Sequence, residues 1–168
     1  MEIGISLGSN MGDRLANLRE ARERISRLPG VRLTAVSPVY ETEPVGVSPA
    51  YRHLRFLNAV VVAESEIEPA RLLSLFRRIE EDMGRKRGAD RNEPRPIDID
   101  IIYADSLVER DGGDLNLPHP RWAERRFVVA PLADARPDLV LPGQTMSVKD
   151  ILLTLPERPA VVLFSSEW

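Results

Sequence analysis

The chain has 168 residues, of which 43% are hydrophobic and 29% charged, and its formal net charge is −3. This length and composition fit a folded protein with its own core, so we interpret residues 1–168 as one domain and exclude a disordered chain. The absence of cysteine excludes disulfides and thiolate metal sites, and the negative net charge gives no electrostatic reason to expect a nucleic-acid partner.

The elements predicted for the first part of the chain begin with a short apolar strand at residues 2–7. A helix follows, capped near Asp13 and ended by Pro29–Gly30, because its apolar residues recur at helical spacing. Residues 31–42 alternate between apolar and polar and predict an extended segment, in which Pro38 indicates an edge position or a bulge.

In the second part, residues 56–63 form the clearest strand, and a helix opens at Pro69 and closes at Gly84. A fourth strand is predicted at residues 97–102. The remaining residues predict a small hairpin that turns at Gly112–Gly113 and one or two short helices.

The order strand, helix, strand, strand, helix, strand is the split βαβ pattern of ferredoxin-like folds. We therefore predict an α+β protein, an α/β sandwich in which helices cover one face of an antiparallel sheet. The small C-terminal hairpin and the short helices would be additions to this core. No apolar run approaches the roughly 18 residues that a membrane span requires, and no basic leader opens the chain, so we expect a cytoplasmic protein without a membrane partner.

Two acidic residues stand out in the fourth predicted strand. Asp98 and Asp100 are two positions apart, so their side chains project from the same face, roughly 6.6 Å apart along the strand. Neighbouring carboxylates on one face repel each other and need positive charge nearby. The spacing alone leaves two interpretations open: a solvated face neutralised by arginines, or a pair of ligands for hard divalent cations that also bind phosphate oxygens.

Basic residues flank the two aspartates on both sides and favour the second interpretation. They are Arg85, Arg87, Arg91 and Arg95 before the pair, and His119, Arg121, Arg125 and Arg126 after it. Metal-bound carboxylates surrounded by guanidinium groups suit a polyphosphate substrate. In such a transfer a substrate hydroxyl attacks, so the protein needs no nucleophile of its own. The chain lacks the Gly-x-x-x-x-Gly-Lys-Ser/Thr motif, and a P-loop enzyme is not indicated.

The stretch Asp90-Arg91-Asn92-Glu93-Pro94-Arg95-Pro96-Ile97-Asp98-Ile99-Asp100 resembles the signature of the 6-hydroxymethyl-7,8-dihydropterin pyrophosphokinases. Further motifs follow the order found in that family. They are Leu7-Gly8-Ser9-Asn10 with Gly12-Asp13, Tyr40-Glu41-Thr42-Glu43-Pro44-Val45-Gly46, Phe56-Leu57-Asn58-Ala59, Leu117-Pro118-His119-Pro120-Arg121, Glu124-Arg125-Arg126-Phe127 and Pro131-Leu132. The resemblance extends over residues 3–143.

The resemblance implies a ferredoxin-like fold and an ATP-dependent diphosphokinase of folate biosynthesis. Such an enzyme transfers pyrophosphate from ATP to 6-hydroxymethyl-7,8-dihydropterin and releases AMP. Two Mg²⁺ ions would bind to Asp98 and Asp100. The residues expected to take part in catalysis are Arg85, Arg95, Asp98, Asp100 and His119. The expected ATP ligands are Leu73, Glu80, Arg87, Arg95, Ile101, His119 and Arg125. The expected pterin ligands are Thr42, Pro44, Val45, Gly46, Phe56, Asn58 and Phe127.

Two positions depart from the family pattern. Asn92 stands where many members carry a tryptophan, and Gly88 stands where some carry a lysine. The loops at 43–49 and 84–94 are candidate lids over the site. Two other functions stay open: a non-catalytic ferredoxin-like module that binds a nucleotide or RNA, and a metal-dependent phosphohydrolase. We expect a monomer whose partners are small-molecule substrates only.

Overall fold

The computed structural model describes residues 1–88, 90, 92–110 and 112–168. The strands in this part of the chain are β1 (Glu2–Ser9), β2 (Val31–Val36), β3 (Val39–Thr42), β4 (Phe56–Ser65), β5 (Asp98–Ala104) and β6 (Val161–Ser165). The helices are α1 (Arg14–Ser26), α2 (Pro69–Asp82), α3 (Arg126–Ala135) and α4 (Val148–Thr154), with 3₁₀ turns at Pro49–Tyr51 and Trp122–Glu124. None of the helices described has the length and apolar composition that crossing a bilayer requires.

The strands form one antiparallel sheet in the order β5-β1-β4-β3-β6, and β2 also pairs with β4. This confirms the predicted α+β class with an antiparallel sheet. The segment predicted as one extended stretch at 31–42 is two strands, β2 and β3, that pair with different parts of β4. The break falls at Ser37–Pro38, because proline has no N–H to donate to a ladder.

The sheet is covered on both faces, so the prediction of helices on one face only is wrong. On one face, α1 packs against β1 and β4, and α2 packs against β5; the two helices bury residues such as Leu18 and Phe76 there. On the other face, α3 packs Val128 and Leu132 against β4 residues such as Val60. The physical reason lies in β4, which is apolar on both sides and therefore needs a covering layer on each.

The start of α1 follows the predicted capping chemistry, and α4 is capped in a similar way. The Ala16 N–H donates to the Asp13 carboxylate at 3.1 Å at the start of α1. Ser147 caps α4 by accepting from the Asp150 N–H at 3.4 Å. These caps satisfy backbone donors that the first turn of a helix leaves without partners.

The C-terminal part differs from the prediction in two ways. The hairpin near Gly112–Gly113 is reduced, among the described residues, to a single bridge between Glu109 and Leu117. Strand β6 was not predicted at all, and it extends the sheet by pairing with the outer edge of β3.

Candidate active site

A cavity of about 400 Å³ opens on the face of the sheet that α3 covers. Its floor consists of Ser6 and Gly8 on β1, Asn58 on β4, and Asp98 and Asp100 on β5. Its walls come from the segment between β3 and β4, from the chain that leads into α3, and from the start of α3 itself. The cavity therefore crosses three neighbouring strands of the sheet.

The strand register fixes how the floor residues are arranged. Gly8 is paired with Asn58 on one side and with Asp98 on the other, and Ser6 is paired with Asp100. Neighbouring strands lie roughly 4.8 Å apart, so Asn58 and Asp98 are about 10 Å apart across β1. A Cβ atom on Gly8 would lie 2.9 Å from the Asn58 Oδ1, and glycine keeps the space between the two ends of the cavity open.

The neutral end of the cavity is formed by β3, β4, the segment between them and the start of α3. Its uncharged lining residues include Thr42, Val45, Gly46, Phe56, Asn58 and Phe127. Glu43 also lines this part and is paired with Arg158 at 3.5 Å. The Asn58 side-chain amide donates to the Thr42 hydroxyl at 2.7 Å, and both residues are buried. A buried polar group that already has a partner holds a fixed orientation, so Asn58 presents a defined edge to the cavity.

The charged end of the cavity comprises Arg95, Asp98, Asp100, His119 and Arg125. Arg85 Nη1 donates to the Asp98 Oδ1 at 2.5 Å, and Arg95 Nη2 lies 3.3 Å from the Asp98 Oδ2. Burial by itself would raise the pKa of Asp98, but Arg95 and Arg85 outweigh it, and the pKa lies below its ordinary value. Asp98 is thus a carboxylate with both oxygens held by guanidinium groups.

Asp100 has the opposite environment. Burial, and then repulsion from Asp98 and Glu80, raises the pKa of Asp100 to about 7. No hydrogen bond or ion pair joins its carboxylate to another of the residues that the structure describes. This position of the cavity is therefore short of positive charge.

His119 and Arg125 form the wall that faces the aspartates. Burial, followed by repulsion from Arg125, lowers the pKa of His119 to about 4, so its ring is neutral at pH 7. The His119 Nδ1 accepts from the Arg121 N–H at 3.1 Å, which requires the proton of the neutral ring to be on Nε2. The His119 Nε2–H is consequently a neutral hydrogen-bond donor beside the charged Arg125 guanidinium group.

Glu80 on α2 connects the outer edge of β5 to the arginines that follow α2. It is 2% exposed, and its carboxylate accepts from the Ile99 N–H at 2.7 Å, from Arg85 at 2.7 Å and from Arg87 at 2.8 Å. Burial raises the pKa of Glu80, opposed by Arg85. Glu80 therefore holds in place Arg85, which is predicted to take part in catalysis, and Arg87, which is a predicted ATP ligand.

The structure brings together most of the predicted site residues, namely Arg95, Asp98, Asp100, His119, Arg125, Thr42, Val45, Gly46, Phe56, Asn58 and Phe127. Pro44, Arg85, Arg87 and Glu80 do not line the cavity. Leu73 and Ile101 belong to the core on the opposite face of the sheet, beside α2. Arg91 lies outside the described residues.

Sequence reasoning missed several lining residues, including Ser6, Gly8, Pro159 and Val161. A signal for the first two was present, because Gly4, Ser6 and Gly8 alternate with the buried Ile3, Ile5 and Leu7. That pattern predicts a row of small residues facing one side of β1.

The residues at the charged end fit a divalent cation. The Asp98 and Asp100 carboxylates face one cavity and can supply oxygen ligands. The raised pKa of Asp100 marks a place where added positive charge is favourable. Among the described residues there is no cluster of three or more acidic or histidine side chains arranged for a metal ion. Mg²⁺ commonly uses one or two carboxylates and takes its other ligands from water and substrate phosphates.

Comparison with known families identifies this arrangement. Residues 4–137 match the family model described as 7,8-dihydro-6-hydroxymethylpterin-pyrophosphokinase (HPPK). The chain belongs to the HPPK family. The match covers all of β1 to β5 except the first residues of β1, and it includes both ends of the cavity floor.

Two relatives illustrate the range of HPPK-containing proteins. The chain is 44% identical over 133 residues to the "Folate synthesis bifunctional protein, mitochondrial" of Pisum sativum, covering 79% of this chain and 25% of that protein. It is 41% identical over 131 residues to the 2-amino-4-hydroxy-6-hydroxymethyldihydropteridine pyrophosphokinase of Bacillus subtilis, covering 77% of this chain and 75% of the relative. The chain thus spans about a quarter of the length of the bifunctional relative.

Solved structures agree on the fold. The wild-type HPPK-DHPS of Plasmodium falciparum, crystallised with pteroate, superimposes with a TM-score of 0.69 at 14% identity. The superposition covers 90% of this chain and 42% of the other. At this identity the likeness supports the HPPK fold and nothing finer.

Proposed function

We propose that this chain transfers the β,γ-pyrophosphoryl group of ATP to the hydroxymethyl group of 6-hydroxymethyl-7,8-dihydropterin, releasing AMP and the pterin diphosphate in folate biosynthesis. The observation that carries the proposal is the pairing of a neutral, partly aromatic end with a charged end in one cavity. Their floor residues are about 10 Å apart, so a small heterocycle and a polyphosphate can lie side by side. Membership of the HPPK family supports the same reaction.

At the neutral end, Phe56 and Phe127 would contact the faces of the pterin ring, and Asn58 would hydrogen-bond to its edge. A flat polar heterocycle is recognised by apolar contact on its faces and by a few fixed polar groups at its rim. The Thr42–Asn58 hydrogen bond already sets the orientation of that amide. Val45 and Gly46 would add contacts from the neighbouring segment, together with Pro44.

At the charged end, Arg95, His119 and Arg125 would hold the phosphate oxygens, with Arg85 and Arg87 assisting from the segment after α2. Donors fixed before the reaction stabilise charge as it develops on the transferred group. Asp98 and Asp100 would hold two Mg²⁺ ions. When bound, these ions neutralise phosphate charge and orient the triphosphate.

The nucleoside would lie toward the outer edge of β5, near Leu73, Glu80 and Ile101. Glu80, which accepts a hydrogen bond from the Ile99 N–H on that edge, would be the ordered acidic group nearest the nucleoside. In the reaction, the hydroxyl oxygen of the pterin attacks the β-phosphorus, and the bond between that phosphorus and the oxygen bridging to the α-phosphate breaks. The chain supplies position and charge, and no protein nucleophile is involved.

The test is an assay with purified protein, ATP, Mg²⁺ and 6-hydroxymethyl-7,8-dihydropterin, followed by chromatography and mass spectrometry. We expect AMP and pterin diphosphate in equal amounts. ADP would indicate an ordinary kinase, and loss of ATP without pterin would indicate a phosphohydrolase. Magnesium-independent RNA binding without turnover would support a non-catalytic module.

We further propose that residues 1–168 act as one pyrophosphokinase domain, monomeric and cytoplasmic, with small-molecule substrates only. The mitochondrial bifunctional protein of Pisum sativum shows that relatives combine this domain with other sequence and other locations. Light scattering on the purified chain and fractionation of the source cells test these two predictions.

A further inference from the structure

The Asp98 carboxylate faces the cavity, and each of its oxygens already has a guanidinium group as partner. Arg85 lies 2.5 Å from Oδ1, and Arg95 lies 3.3 Å from Oδ2. Charge-assisted hydrogen bonds of this kind are about twice as strong as neutral ones. A cation that binds to Asp98 therefore competes with two positive charges for the same carboxylate.

Of the two arginines, Arg85 is the one held from outside the cavity. Arg95 lines the cavity, whereas Arg85 does not. The Arg85 side chain is 14% exposed. The same Nη1 atom also lies 2.7 Å from the Glu80 Oε1, so Arg85 is placed between two carboxylates. Glu80 is in turn fixed by the Ile99 N–H at 2.7 Å. These contacts make Arg85 an ordered counter-ion.

Asp100, two residues further along the same strand, has no such counter-ion among the described residues. The pair is therefore asymmetric: the Asp98 carboxylate is paired with guanidinium groups and the Asp100 carboxylate is not. A bare divalent cation entering the cavity would find one carboxylate without a competing positive charge bonded to it. A cation that arrives with a nucleotide brings phosphate oxygens, which can serve both as its own ligands and as a new partner for the released guanidinium group.

We propose that Arg85 makes the site selective for a metal–nucleotide complex over a free divalent cation, by acting as the resting counter-ion of Asp98. This inference rests on the proposed function, because it assumes that Asp98 is a metal ligand during turnover. Arg85 then changes partner from Asp98 to the phosphates when the complex binds. Arg85 would thereby favour the entry of metal and nucleotide together. It would also bring its guanidinium group to the phosphates as a hydrogen-bond donor.

The experiment measures Mn²⁺ binding to the intact chain by the loss of the free-ion electron paramagnetic resonance signal. The variants are Arg85→Met, which keeps the apolar stem without the charge, and Arg85→Lys, which keeps the charge but cannot bridge two carboxylates in the same geometry. Arg87→Met is the matched control, because Arg87 also bonds to Glu80 at 2.8 Å but makes no ion pair with Asp98. Circular dichroism checks that each variant is folded.

Without nucleotide, we expect Arg85→Met to bind Mn²⁺ about tenfold more tightly than the wild type, since one charge-assisted hydrogen bond no longer competes. Arg85→Lys should bind with an intermediate gain, and Arg87→Met should change the affinity less than about threefold, as expected for a surface charge. With α,β-methylene ATP present, the difference between wild type and Arg85→Met should shrink or reverse.

Two results would overturn the inference while leaving the proposed function intact. One is an Arg85→Met variant that binds Mn²⁺ no better than the wild type without nucleotide. The other is an Arg87→Met variant that gains as much as Arg85→Met, which would mean that only net charge matters. If the wild type binds no Mn²⁺ even with α,β-methylene ATP, the metal arrangement of the proposed function fails as well.

Discussion

The two ends of the cavity lie on the same sheet but are held by different interactions. At the neutral end, the buried Asn58 amide and the Thr42 hydroxyl are joined by a neutral hydrogen bond that a ligand need not break. At the charged end, Asp98 is held by Arg85 and Arg95, and these are the groups that a polyphosphate would engage. In the proposed function, the neutral end would therefore be preformed for its ligand, whereas the arginines of the charged end would exchange partners.

The largest expected effect comes from removing the acidic pair. Asp98→Asn and Asp100→Asn should each lower kcat by about 10³-fold, because each removes a charge that the phosphate site requires. AMP release under saturating ATP and pterin measures this. Asp105→Asn is the matched control at the far end of β5, since its φ of 44° suits asparagine and the Glu2 N–H keeps an acceptor. Near-normal turnover in either site variant would contradict the metal assignment.

The second effect concerns stability and pH at the charged end. The pKa of Asp100 in the folded protein, about 7, lies above its ordinary value of 3.8, so the folded state holds the proton more tightly. Its contribution to stability is full below pH 3.8 and is lost as the pH rises to 7. Between pH 5 and pH 7 the free energy of unfolding of the wild type should therefore fall by about 2 kcal/mol relative to Asp100→Asn. Urea unfolding at the two pH values measures this difference.

The protonation of His119 changes the free energy of unfolding with pH in the opposite direction. Its effect has to be measured separately from that of Asp100. The pKa of His119, about 4, lies below its ordinary 6.5, so its contribution is present above pH 6.5 and is lost as the pH falls toward 4. The same urea series on His119→Asn should remove this opposing slope and leave the fall due to Asp100. A difference between wild type and Asp100→Asn that does not change with pH would contradict the described environment of Asp100.

The third prediction tests the neutral end. Phe127→Ala should raise the KM for the pterin about tenfold by removing an aromatic contact. The KM for ATP should rise less, about threefold, because the Arg125 guanidinium group lies 5.6 Å from the Phe127 ring. Phe164→Ala is the matched control, because Phe164 is 47% exposed on β6 and does not line the cavity. Equal increases in both KM values would mean that the two ends are not independent.

The smallest expected effect is at the contact between the segments that border the cavity. The Asn92 amide donates to the Gly46 carbonyl at 2.9 Å, and Gly46 has a φ of 67°, which favours glycine. Asn92→Ala should raise the KM for the pterin about threefold, in keeping with one exposed hydrogen bond. Asn116→Ala removes a similar bond, to Gly113 at 3.2 Å, away from the cavity, and should leave the KM unchanged. A change of more than tenfold for Asn92→Ala would assign this residue a larger role.

Sequence patterns predicted the core of the fold because they are local. The helix caps and the alternation around Asp98 and Asp100 depend on neighbours a few residues away, and Ile99 and Ile101 are buried as expected. The helices on the second face of the sheet could have been predicted from the continuous apolar run in β4, which was not used for that purpose. Strand β6 also had a signal that was not used, namely the apolar run at 160–164 between Pro159 and Ser165.

For the site, the family resemblance named many of the residues that line the cavity, but it could not supply their partners in this chain. The ion pair between Arg85 and Asp98 joins residues 13 positions apart through a long side chain with many rotamers. The three hydrogen bonds of Glu80 depend in the same way on how α2 packs against the edge of β5. Such contacts are set by tertiary packing, which local patterns do not encode.

The unpredicted strand β6 has a consequence for inhibitor design. Pro159, just before this strand, and Val161, its first residue, line the cavity, although both lie beyond residues 4–137 that match the family. A competitive inhibitor that occupies the neutral end and extends toward Val161 would contact a wall outside the region that the family model matches. Such an extension would make the edge strand β6 part of the inhibitor's binding surface, while the heterocycle keeps its contacts at the neutral end.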